Sequence, residues 1–107
     1  MKTYYHATQT ENLESIIKNG LKRNKIENAV FLCERPEDAA KFLRVRGFTQ
    51  FVIIPVRVHE KFITESFDHN ANFFKCRCWM YHKDVQPRNI DVDNILEYNQ
   101  NISKGEK

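Results

Sequence analysis

The chain has 107 residues, 41% of them hydrophobic and 29% charged, with a formal net charge of +3. These values exclude a disordered polyelectrolyte and leave little room for a second domain, but they suffice for one globular domain that buries its own core. The mild excess of base permits contact with nucleic acid or an anionic ligand without requiring either.

In chain order, residues 2–6 predict a short aromatic strand, with Tyr4 and Tyr5 on opposite faces. The strand ends in Tyr5-His6-Ala7-Thr8, a polar stop of the kind that lines ligand sites at strand ends. His6 also reads as a strand-end histidine with a local hydrogen bond. Thr10 to Asn19 predicts a helix with Leu13, Ile16 and Ile17 on its apolar face and with Thr8 or Thr10 as its cap. Gly20 follows as the expected left-handed stop, and Leu21 folds back on the last turn.

Residues 22–28 are polar and basic and read as a loop. Ala29 to Cys33 is short and apolar, as in a buried strand. Pro36, Glu37 and Asp38 suit the first turn of a second helix, with Ala39, Ala40, Phe42 and Leu43 on its buried side. Arg44 to Phe48 closes that helix. Phe51 to Val58 is the strongest strand signal, and Pro55 within it predicts a bulge or an unpaired edge. Residues 59–72 hold Phe62-Ile63 and then Glu65 to Asn70, and read as a polar loop with two aromatic anchors. Residues 73–81 read as a strand, 82–88 as a turn, and 89–98 as a final strand.

The elements make an α+β fold, one domain over residues 1–98 with a polar tail over 99–107. Three cysteines, Cys33, Cys76 and Cys78, form no secreted disulfide framework and no zinc set, so a reducing, cytoplasmic setting without metal is expected. No stretch has the length of a signal core or a membrane span. The usual phosphate loop, dinucleotide fingerprint and hydrolase elbow are absent. A Cys–His nucleophile pairing Cys76 or Cys78 with His69 or His82 is open on residue type alone. Lys18, Lys22, Arg23 and Lys25 form either a solvated loop or a nucleic-acid contact.

Four segments taken in order resemble a minimal member of the ADP-ribosyltransferase superfamily. They are Tyr5-His6-Ala7-Thr8, Asn12-Leu13-Glu14-Ser15-Ile16 through Gly20-Leu21, Val30-Phe31-Leu32, and Val85-Gln86-Pro87-Arg88-Asn89-Ile90. They are similar to stretches in DNA-modifying ADP-ribosyltransferase toxins and RNA 2′-phosphotransferases. The resemblance implies a small split β-sandwich with two early helices and an NAD site between its sheets. By that resemblance His6 contacts ribose, Ala7 holds the carboxamide through its backbone, and Thr8 supports the loop. Phe31 flanks the nicotinamide, and Arg44 and Arg46 are the cations available for phosphates, although arginines at a helix end also read as solvated.

The chain departs from the family where a late-strand glutamate is usual. Arg77-Cys78-Trp79-Met80-Tyr81 contains no acid. Asp68 and His69, with Glu65 upstream, are the candidate replacements, and an Asx-type loop is the plain alternative for them. The expectation is an NAD-dependent transferase acting on a protein or nucleic acid. The alternative is a catalytically degenerate module that binds a nucleotide or a macromolecular partner, including an inhibitor. No membrane partner is expected.

Overall fold

The fold is built on β3, Gln50–Val58, in which Phe51 through Val56 and Val58 are buried. The computed structural model describes residues 1–26, 28–66 and 78–99. β3 lies between β1 (Lys2–Gln9) and β6 (Leu96–Asn99) in one antiparallel sheet. The second antiparallel sheet places β5 (Cys78–Tyr81) between β2 (Val30–Leu32) and β4 (Ile63–Ser66). The helices are α1 (Leu13–Asn19) and α2 (Pro36–Arg44), so the fold is α+β as expected.

β1 pairs with β3 in unbroken register, from Lys2 opposite Val58 to Gln9 opposite Phe51. Strand alternation then sorts the side chains into two cores. Tyr4, Val52, Ile54, Val56 and Val58 join Val30, Leu32 and Tyr81 in a cluster shared by both sheets. Phe51 and Ile53 face the other way and meet Ala39, Ala40 and Leu43 of α2, with Tyr5 and Ala7 packed alongside. Each large apolar side chain buried this way stabilises the fold by about 1.5–3 kcal/mol before chain entropy is counted.

No bulge forms at Pro55, because the register with β1 runs through it without a break. Of the two outcomes expected there, the unpaired edge is the one met, since β6 pairs with β3 only as far as Ile53. Tyr5 exchanges both backbone hydrogen bonds with Cys33, so its amide and carbonyl point away from β3. Tyr5 and Pro55 therefore form a non-bonded pair of the ladder, where the proline needs no N–H. On its other side the Pro55 carbonyl accepts from the Asp91 amide, beyond the end of β6 pairing at Ile53.

The helix termini follow local chemistry. Pro36 starts α2, as its fixed φ and missing donor allow. α2 ends in a Schellman arrangement, with Phe48 N–H bonded to the Leu43 carbonyl and Gly47 N–H to the Arg44 carbonyl. Gly47 supplies the positive φ, +90°. At the end of α1, Gly20 has φ +84°, and its amide bonds the Ile16 carbonyl. Leu21 and Val85 then exchange backbone hydrogen bonds of 2.9 and 2.8 Å.

Several expectations are corrected. β1 continues to Gln9 rather than stopping at His6, because Ala7, Thr8 and Gln9 keep partners on β3. Thr10–Asn12 is a 3-10 turn, and neither Thr8 nor Thr10 caps the helix: the Thr8 hydroxyl accepts from Asn12 Nδ2. Ile63–Ser66 is a strand, since β5 offers it a complete ladder that a loop reading ignores. Residues 89–95 are not strand; two 3-10 turns, Pro87–Asn89 and Val92–Asn94, carry the chain along β3 to β6. Among the described residues no helix is long and apolar enough to cross a membrane.

Candidate functional site

β1 and β2 meet at Tyr5 and Cys33 and belong to different sheets on either side of that bridge. His6 sits at this junction. Its Nδ1 lies 2.9 Å from the Phe31 carbonyl oxygen. A carbonyl only accepts, so Nδ1 carries the hydrogen and, in the neutral ring, Nε2 is left as an acceptor. Burial holds the His6 pKa below its ordinary 6.5, and the bond to the Phe31 carbonyl offsets part of that effect. The neutral imidazole is therefore the working form at neutral pH.

A cavity of about 270 Å³ opens beside this junction. Its walls include Tyr5, His6, Ala7, Phe31, Phe42 and Arg46. Strand alternation fixes what Ala7 offers. Two residues after Tyr5, its amide and carbonyl also point off the β3 ladder, toward the side where Cys33 bonds Tyr5. The cavity thus combines a histidine acceptor, a strand edge with a donor and an acceptor, and an aromatic wall. That set can hold a flat ring bearing an amide next to a hydroxylated group.

Arg46 is the cation at this cavity, with its guanidinium 4.8 Å from the Phe42 ring centroid. Arg44 is elsewhere: its guanidinium lies 5.2 Å from the Tyr98 ring, which stacks on Phe51. Helical spacing explains the split, because Phe42 and Arg46 are four residues apart and Arg44 is not on their side. Thr8 stands outside the cavity wall and braces the turn into α1 through Asn12.

Phe31 lies in the wall, while its neighbours Val30 and Leu32 turn into the shared core. Glu65 is opposite Trp79, which is opposite Leu32, so it takes the face of its sheet opposite to that of Phe31. Asp68 and His69 lie outside the described residues, as does Cys76. Among the described residues of the cavity wall there is no carboxylate. Cys78 is buried with Cys33 in the α2-side core, whereas His82 Nε2 bonds the Thr64 hydroxyl at 2.8 Å. The Cys78–His82 pairing is therefore not assembled.

Sequence reasoning missed Tyr5, Cys33, Ala39, Phe42 and Leu43 as wall residues. The spacing of Ala39, Phe42 and Arg46 could have shown that one side of α2 and its extension faces the strand edge. No family model matches the chain, and no curated protein matches it either.

Proposed function

We propose that this protein is an ADP-ribosyltransferase-like domain of split β-sandwich form that binds NAD at the His6 cavity and modifies a protein or nucleic acid. The observation that carries the reading is the His6–Phe31 hydrogen bond, which presents Nε2 as an acceptor beside the Ala7 strand edge. The residues suit one end of NAD. Nε2 would accept from a ribose hydroxyl, Ala7 would pair with the carboxamide, and Phe31 would lie against the nicotinamide ring. Arg46 would meet the pyrophosphate.

The size of the cavity agrees with partial enclosure. At about 270 Å³ it lies just below the range of roughly 300–1,000 Å³ typical of ligand pockets, so it would take the nicotinamide–ribose end and leave the adenylate outside. Bound NAD supplies the bond between ribose C1′ and nicotinamide that transfer would break. The chain supplies positioning and an aromatic, water-excluding wall.

A second reading has its own support. The late strand, Arg77-Cys78-Trp79-Met80-Tyr81, carries no acid, which favours a module that holds the nucleotide without turnover. One pair of measurements separates the two. Calorimetric titration with NAD should give one site that His6→Ala abolishes. Nicotinamide release and label transfer from NAD to a cell extract should occur with the transferase and be absent with the binding module. If NAD and ADP-ribose both fail to bind the folded protein, both readings fail.

A further inference from the structure

A second concavity, of about 580 Å³, lies at the other end of β1. Its walls include Arg23, His59, His82, Lys83, Asp84 and Arg88. It shares no wall residue with the His6 cavity. Along the strand direction the two are roughly 17 Å apart, since His6 is the fifth residue after Met1.

The charge in this cleft is one-sided. Asp84 is its carboxylate, and Arg23 engages it twice: Asp84 Oδ1 accepts from the Arg23 amide at 2.9 Å and from its Nε at 3.0 Å. Those bonds hold the Asp84 carboxyl below the usual carboxylate range, so it stays ionised and matched to Arg23. Lys83 and Arg88 have no carboxylate within ion-pair distance among the described residues. Lys83 Nζ is steadied 4.6 Å over the Phe62 ring, and the His59 and His82 rings also line the cleft. A polar, open cleft that gathers unmatched cations raises the local concentration of anions.

We propose that this cleft binds the phosphates of a single nucleic-acid strand. The arrangement of the cations selects a strand over a lone phosphate. More cations adjoin those of the cleft: exposed Lys22 and Lys25 stand within two residues of Arg23 in the chain, and Lys61 lies over the same Phe62 ring as Lys83. Such a set of cations matches repeated single charges along a phosphodiester backbone. Arg88 offers a planar fork for phosphate oxygens and Lys83 a point charge. The proposal stands apart from the NAD reading.

The test is fluorescence anisotropy with labelled oligothymidylate and oligouridylate at roughly 50 and 200 mM salt. Lys83→Glu/Arg88→Glu should weaken binding at least tenfold and lower the salt slope by about 1.4, at about 0.7 per phosphate on a single strand. Arg35→Glu/Arg44→Glu, at the two ends of α2, changes the net charge equally away from the cleft and should cost less than threefold. His6→Ala should bind the strand as the wild type does. Lys83→Ala/Arg88→Ala serves if charge reversal lowers the melting temperature. Equal losses in the two charge-reversed variants, or no binding at the lower salt, overturn the proposal. Full competition by inorganic phosphate or thymidine monophosphate, at equal phosphate, overturns the strand and leaves a single-phosphate site.

Discussion

The His6 Nδ1 hydrogen bond to the Phe31 carbonyl, at 2.9 Å, joins two segments 25 residues apart in the chain. A second junction joins Leu21 to Val85 by reciprocal backbone bonds. The four segments that resemble a transferase thus meet in two pairs. Removing the ring by His6→Ala leaves a half-buried carbonyl without its donor, a cost of about 1–3 kcal/mol. Urea denaturation should read this as a lower midpoint with an unchanged slope. A wild-type midpoint would show that the bond adds nothing to stability.

The same ring sets a pH dependence. Its folded pKa lies below 6.5, so the unfolded chain binds a proton more readily. The contribution of His6 is fully present above about pH 6.5 and is lost as pH falls through the folded value. Melting curves between pH 8 and pH 5 should therefore converge for wild type and His6→Ala toward the acid end. Proton uptake at Nε2 also removes the acceptor, so NAD affinity should be level from pH 8 to 6.5 and fall below it. An affinity that rises on acidification would contradict the acceptor role.

The two glycines with positive φ make a matched comparison. A Cβ at Gly20 would run into the Val85 carbonyl, while at Gly47 nothing lies within 4 Å. Gly47→Ala should cost only the left-handed backbone penalty, about 1–2 kcal/mol. Gly20→Ala adds displacement of the segment from Val85 to Pro87 and should cost clearly more. Equal midpoints for the two variants would mean that the Gly20–Val85 approach is not held in solution.

The arginines at the end of α2 test the cavity directly. Arg46→Ala should raise the Kd for NAD about five- to tenfold, the loss of a charge-assisted phosphate contact, or roughly 1 kcal/mol. Arg44→Ala should leave it within about twofold, because its guanidinium is committed to Tyr98. Calorimetry on the two proteins decides the matter. The reverse order of effects would move the phosphates to the other side of α2.

Much of the local structure was legible because its causes are local. Gly20 ends a helix through its own φ, Pro36 starts one through its own ring, and the β-branched run from Val52 to Val58 could only be a buried strand. The apolar pattern misled where spacing mimics a strand, at Ile90, Val92 and Ile95. There 3-10 turns form, and of the three only Ile90 is buried. β4 was missed because four residues carry little pattern, and their strand form depends on β5 being alongside.

Determined by the sequence alone were the residue types of the candidate site, the α+β class, and the alternation that sends Tyr4 and Tyr5 to opposite cores. Only the tertiary structure decided the rest: that His6 meets Phe31, that Arg46 rather than Arg44 reaches the cavity, and that Glu65 takes the other face from Phe31. The physical reason is register. Which face a strand residue occupies, and which carbonyl a ring can reach, depends on pairing between distant segments, and one residue of slip would reverse every assignment.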